Sequence, residues 1–253
     1  MPRIAREKSK TGIYHVMLMG INQQKIFEDD EDCEKFLEIL CICKKVSGFK
    51  LFAYCLMGNH VHLLMKAQDE DLDQIFKRIG ARYVYWYNWK YRRVGHLFQD
   101  RFKSEPINSD KYFLTVLRYI HQNPIKAKLC DTIKEYKWSS YREYIGDSKT
   151  VDTRFPLEMT GLDEFIRFNN SSNNDVCLEC SSKIFRFTDA EAQEMVKKIC
   201  KCDKVEDLLK LCPQERESYI KKLKNAGISI RQMSRLTGIS KGIIEKILKQ
   251  GGI

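Results

Sequence analysis

Two apolar runs, residues 51–57 and 60–66, are separated by only Gly58 and Asn59. A two-residue connection of this kind makes an antiparallel hairpin, since parallel neighbours need a crossover of a dozen or more residues. Side chains alternate along a strand, so His60, His62 and Leu64 share one face while Val61, Leu63 and Met65 share the other. Two imidazoles on one face can serve a single metal ion. The plainer alternative is a half-buried strand whose histidines are merely solvated. Against it, both would sit at the rim of an otherwise apolar hairpin, where a polar pair needs a reason.

A second pattern lies some sixty residues downstream. Ser109 suits a helix N-cap and Asp110 the positive end of the helix dipole. Phe113, Val116, Leu117 and Ile120 recur at helical spacing as a core stripe. Pro124 is expected to end this helix, because the residue before a proline is pushed out of the α region. Tyr119 and Asn123, four apart, lie roughly on one face near its end. Such a tyrosine is ordinarily a packing residue, and an Asn before Pro ordinarily a cap. Beside a histidine-bearing strand, the same pair offers a nucleophilic phenol and a carbonyl-oxygen ligand. Magnesium and manganese favour oxygen ligands, and manganese accepts imidazole more readily.

Several further stretches accompany these: Tyr14-His-Val-Met-Leu-Met-Gly20, Met57-Gly-Asn-His-Val-His-Leu-Leu64, Gly95-His-Leu-Phe-Gln-Asp-Arg-Phe-Lys103, Tyr119-Ile-His-Gln-Asn-Pro-Ile125 and Trp138-Ser-Ser-Tyr141. In this order and spacing the chain resembles the HUH single-strand DNA transposases, most closely the REP-associated tyrosine transposases, over roughly residues 10–146. The resemblance implies a ferredoxin-like (RRM-like) α/β sandwich with an antiparallel sheet. It implies His60 and His62 as ligands of a divalent metal (Mg2+ or Mn2+), Asn123 as third ligand and Tyr119 as nucleophile. The implied reaction is cleavage and rejoining of hairpin-associated single-stranded DNA through a 5′-phosphotyrosyl intermediate. One departure, Phe98 in place of the motif's usual Trp, touches packing more than chemistry. Tyr112, seven residues before Tyr119, is the next candidate nucleophile. His121 neighbours Tyr119 but points about 100° away on a helix, so it is not assigned as a base. His15 and His96 fall in other motifs and are expected to matter far less than the His60/His62 pair. Two rivals are a non-catalytic DNA-binding regulator derived from a transposase, and an RNA-binding protein on the same scaffold. The latter calls for exposed aromatics on the central strands, where this chain has histidines.

The net charge of +10 and pI near 9.0 suit a polyanionic partner. Between Phe76 and Lys103 lie Lys77, Arg78, Arg82, Lys90, Arg92, Arg93, Arg101 and Lys103 against the single acid Asp100. Aromatics interleave with them, and cations tracking phosphates beside rings stacking on bases is how unpaired DNA is held. Tyr83, Trp86 and Tyr87 are expected to be at least partly buried, leaving mainly the cations for DNA. Candidate DNA contacts are therefore Arg3, Arg6, Lys8 and Lys10 of a basic N-terminal arm, with Arg78, Arg82, Arg92, Arg93, Arg101 and Lys103. The arm has no apolar core, so it does not read as a signal peptide, and no stretch approaches 18 consecutive apolar residues. A cytoplasmic protein is expected.

Cys33, Cys41, Cys43, Cys55 and Cys130 fall on apolar positions and read as small buried hydrophobes in a reducing compartment. Cys177-x-x-Cys180 and Cys200-x-Cys202, with Cys212, have an awkward spacing for zinc and read better as free thiols. Past Gly146 the composition turns polar, predicting a catalytic domain over 1–150, a linker over 151–176 and a helical domain over 177–253. In the last, Thr188-x-x-Glu191 and Ser229-x-x-Gln232 are capping boxes, and Asp203 suits the cap of a short helix. Thr237-Gly238-Ile239 is a tight turn between two short helices, as in a helix-turn-helix. Ser240 and Lys241 would open the recognition helix. From Lys204 onward eleven Lys/Arg face five Asp/Glu, so DNA is the expected partner of this half too. The chain is expected to act as a monomer or a homodimer.

Overall fold

A computed structural model describes residues 6–178, 189–200, 211–226 and 228–249. The chain divides into two compact units, Met1–Cys180 and Ser181–Ile253.

The first unit runs β1 (Ile13–Met19), a 3-10 turn (Ile21–Gln23), α1 (Asp30–Ser47), β2 (Lys50–Met57), β3 (His60–Lys66), α2 (Leu72–Lys90), β4 (Lys103–Ile107) and α3 (Asp110–Lys126). The four strands form one sheet in the order β2-β3-β1-β4, with every pairing antiparallel. This βαββαβ order is the ferredoxin-like arrangement. Gly58 and Asn59 make the expected turn, pairing Met57 with His60. Asp29 opens α1 through a reciprocal capping box with Asp32, and Gly48, left-handed at φ 66°, closes it. Phe36 of α1 and Tyr83 of α2 meet edge to face at 5.1 Å, which joins the two helices. As expected, Tyr83 and Tyr87 are buried and Trp86 is partly so.

α3 packs over β2 and β3. Ser109 caps it, its hydroxyl accepting from the Tyr112 amide at 3.3 Å. Pro124 does not end this helix, which continues to Lys126. A proline in the last turn forfeits only its own bond to the Ile120 carbonyl. The Ala127 amide still reaches the Asn123 carbonyl at 2.9 Å, and Leu129 reaches that of Pro124 at 2.9 Å.

The predicted linker over 151–176 is also corrected. Those residues carry α5 (Arg154–Thr160) and α6 (Leu162–Asn170), after a short α4 (Tyr141–Tyr144). Phe165, 1% exposed, stacks on Tyr144 at 4.4 Å and belongs to the main core. Asp175 pairs with Arg118 at 2.7 Å, and Asn173 Nδ2 donates to Gln122 Oε1 at 2.7 Å. The polar side chains that made this stretch look like a joint are its attachments to α3.

The second unit is helical where described: α7 (Asp189–Cys200), α8 (Pro213–Asn225), α9 (Ile230–Thr237) and α10 (Lys241–Lys249). Val196, Ile220, Leu223, Met233 and Ile244 are among its core residues. Ser229 Oγ caps α9, accepting from the Gln232 amide at 3.2 Å, and Gly238 at φ 74° turns the chain toward Ser240 and α10. Ser240 and Lys241 are exposed at the start of α10. Thr188, the Asp203 helix, Cys180 and Cys202 lie outside the described residues; the eight described cysteines are free. Among the described residues, no helix is long and apolar enough to cross a membrane.

Candidate active site

Directly opposed residues of antiparallel strands point to the same face. The register opposes His62 to Met17 and Cys55, His60 to Met19 and Met57, and His15 to Leu64 and Glu105. One face of the sheet therefore gathers His60, His62, His15 and Glu105.

The His60 and His62 ring centroids stand 5.0 Å apart. His60 is half-buried, and its Nδ1 lies 2.7 Å from Asn59 Oδ1. A carboxamide oxygen only accepts, so His60 carries its proton on Nδ1 and presents a lone pair on Nε2. His62 is 1% exposed, with Nδ1 2.9 Å from His15 Nε2. His15 Nδ1 in turn lies 3.6 Å from Glu105 Oε2. Burial pushes the His60 pKa down to about 4 and that of His62 well below the usual range. Burial also lowers His15, against the opposing pull of Glu105. The imidazoles are thus held neutral, the form that binds metals.

Tyr119 of α3 packs onto this group. It is 2% exposed, with its ring centroid 5.8 Å from His62 and 5.9 Å from His15, and Lys126 Nζ lies 4.5 Å from its ring centre. Asn123, one turn on and half-buried, donates from Nδ2 to the Tyr119 carbonyl at 3.0 Å. Its amide nitrogen is thereby committed to the helix, and Oδ1 is the end with capacity to ligate. Among the described residues no three His, Cys, Asp or Glu side chains form a metal-holding group. The candidate donors are instead two neutral imidazoles and, as the resemblance implies, the Asn123 carboxamide, a set that fits a divalent ion tolerant of nitrogen better than one demanding only oxygen.

His121 faces elsewhere. Its Nδ1 meets Asn169 Oδ1 and its Nε2 meets Ser140 Oγ, both at 2.9 Å, among the rings of Tyr141, Tyr144 and Phe165. Tyr112 is not beside the histidine pair; its hydroxyl donates to Glu105 Oε1 at 2.7 Å. His15 and Glu105 are what the sequence reading missed. Neither spacing nor polarity shows that His15 lies diagonal to His62, because that depends on how β1 registers against β3.

The candidate DNA contacts divide. Arg82, Arg92, Arg101, Lys103, Lys8 and Lys10 are exposed. Arg78 is a correction: its guanidinium makes a two-pronged pair with Glu70 at 2.6 and 2.8 Å and also bonds Ser47, so its fork is committed within the protein. Arg6 bonds Asp73 and lies 3.8 Å over the Phe102 ring, and Arg93 donates to Gln24 at 2.9 Å. Arg3 lies outside the described residues. Tyr85 and Trp89, four apart on α2, are 78% and 72% exposed.

Residues 8–123 match the family described as "Transposase IS200 like". The chain is also similar to a curated protein of Haemophilus influenzae, "Putative REP-associated tyrosine transposase", at 27% identity over 153 residues, covering 56% of this chain and 86% of that one. A solved structure of a REP-associated tyrosine transposase bound to a REP hairpin superposes with a TM-score of 0.51 at 16% identity, covering 60% of this chain and 93% of that one. At that identity the superposition speaks for the fold alone. Over residues 8–123, within its first unit, the chain is similar to the IS200-like transposases. The resemblance to REP-associated tyrosine transposases drawn from the motifs holds.

Proposed function

We propose that the first unit is a single-strand DNA endonuclease and strand transferase acting at hairpin-forming sites, with Tyr119 as nucleophile. The observation that carries this reading is the packing of the Tyr119 ring against His62 of the His60/His62 pair. Tyr119 lies 57 residues after His62 in the sequence, and α3 sets the two rings side by side.

His60 Nε2, His62 Nε2 and Asn123 Oδ1 would hold a divalent ion, which when bound supplies charge to a non-bridging oxygen of the scissile phosphate. Tyr119 Oη attacks phosphorus in line. The new O–P bond forms as the P–O3′ bond breaks, and the phenol's proton is balanced by protonation of the departing 3′-oxygen. The result is a 5′-phosphotyrosine and a free 3′-hydroxyl, and the phosphodiester energy is kept for rejoining. Since Tyr119 is 2% exposed, its surroundings must open when DNA engages. Arg82, Arg92, Arg101 and Lys103 would follow the phosphates, with Tyr85 and Trp89 as stacking faces. Arg6, Lys8 and Lys10 would extend this path, and Ser240 with Lys241 would contact DNA from α10 of a helix-turn-helix. The RNA-binding alternative is not favoured, because no aromatic on β1 or β3 is exposed.

The test is incubation with labelled single-stranded hairpin DNA and Mn2+, followed by a denaturing gel. A covalent adduct is expected from the wild type and none from Tyr119→Phe, with hairpin binding retained. Binding without any adduct would favour the non-catalytic regulator.

A further inference from the structure

We propose that His15 and Glu105 form a proton-ordering chain that fixes the His62 tautomer and keeps its Nε2 lone pair aimed at the ligand. The two are positioning residues acting through His62, and this inference rests on the metal-site reading above.

The geometry is a relay across three strands, buried at its two imidazoles and partly exposed at Glu105. Glu105 on β4 is itself held by two donors, the Tyr112 hydroxyl on Oε1 at 2.7 Å and the Leu178 amide on Oε2 at 3.2 Å. Next comes His15 on β1, 0% exposed, with Nδ1 3.6 Å from Glu105 Oε2, its nearest acidic oxygen, and with no partner within hydrogen-bond distance of that nitrogen. Then comes His62 on β3, its Nδ1 2.9 Å from His15 Nε2. Two neutral imidazoles joined through one nitrogen each share one proton between those atoms, so the direction of that bond has two solutions. If His15 carries its proton on Nε2, it donates to His62, and His62 must hold its own proton on Nε2, where it blocks a metal. If His15 carries its proton on Nδ1, its Nε2 accepts from His62 Nδ1–H, and His62 Nε2 keeps its lone pair.

A carboxylate only accepts, so Glu105 beside His15 Nδ1 selects the second solution. The other choice would leave a bare ring nitrogen facing a carboxylate in a buried setting. His62 Nε2 takes no hydrogen bond from any described residue, which is the state this ordering requires. His60 reaches the same outcome by a shorter route, through Asn59 Oδ1 at 2.7 Å. The two members of the pair are thus set independently, one by a turn residue and one by a chain spanning the sheet. Outer partners that orient ligating histidines typically alter metal affinity about 10- to 100-fold when removed.

The test is long-range 1H–15N NMR of the histidine rings in the metal-free full-length protein, paired with calorimetric Mn2+ titration. Wild type should show protonated Nδ1 and bare Nε2 at both His15 and His62. Glu105→Leu and His15→Phe should each lose the single Nδ1–H form at His62 and weaken Mn2+ about 10- to 100-fold, with dispersed amide spectra reporting an intact fold. Glu105→Gln, whose carboxamide oxygen still accepts, should keep the wild-type tautomer and affinity. A wild-type His62 protonated on Nε2 overturns the inference, as do two folded variants with unchanged ring spectra. If the ring spectra follow the expectation but the wild type binds no Mn2+, the ordering chain stands and the metal-site reading falls.

Discussion

His62 and His121 are both fully buried, and burial lowers the pKa of each. They differ in how their nitrogens are used. His121 spends both on the protein, one toward Asn169 and one toward Ser140, whose hydroxyl also accepts from the Tyr54 amide at 3.0 Å. His62 spends one on His15 and turns its ring edge toward Tyr119 and His60. Burial with a depressed pKa therefore does not mark a site in this chain. What separates the pinned imidazole from the available one is a ring nitrogen that no neighbour claims.

The comparison breaks most sharply through the histidines themselves. His60→Ala with His62→Ala should abolish adduct formation and Mn2+ binding while the fold persists, and calorimetry showing unchanged Mn2+ affinity would remove the metal from the account. His121→Ala should do the reverse. It strands the Asn169 carbonyl and the Ser140 hydroxyl at about 1–3 kcal/mol each, so denaturant unfolding should show a large loss of stability while the folded fraction still forms adduct. A chain ending at residue 152 should behave like His121→Ala, because it deletes Asn169 and Phe165; one ending at residue 180 should unfold cooperatively like the intact first unit.

A pH titration sharpens the contrast further. The His121 pKa is lowered from 6.5 to about 4. The unfolded chain therefore takes up this proton before the folded chain does, and stability present above pH 6.5 is lost as pH falls toward 4. For a fully buried ring that amounts to roughly 3 kcal/mol. His121→Gln should flatten the acid side of the stability profile, and an unchanged profile would reassign the acid sensitivity to His15, His60 and His62. The smallest effect expected is in the second unit. If α10 meets duplex DNA, Lys241→Ala should lower the log-salt slope of binding by about 0.9, whereas an unchanged slope would point to a protein partner for these helices.

Much of the site was legible because its residues sit on regular elements. Alternation put His60 and His62 on one face, helical spacing put Tyr119 and Asn123 on another, and the two-residue turn at Gly58-Asn59 fixed the hairpin. What escaped was whatever depends on pairing between distant segments. The diagonal from His15 to His62 is a matter of β1/β3 register, and Glu105 reaches His15 only because β4 adds to the far side of β1. Local rules also overstated two breaks. Pro124 in a last turn loses one hydrogen bond and not the helix, and the Asn- and Ser-rich run after Phe168 is polar because it bonds α3, not because it is a joint.

The most direct test of the central claim is to map the covalent site itself. After reaction of the wild type with single-stranded hairpin DNA and Mn2+, nuclease trimming and peptide mass spectrometry should find the nucleotide remnant on Tyr119, in the peptide spanning His121 and Asn123. A remnant on Tyr112, or on any other residue, would contradict the account.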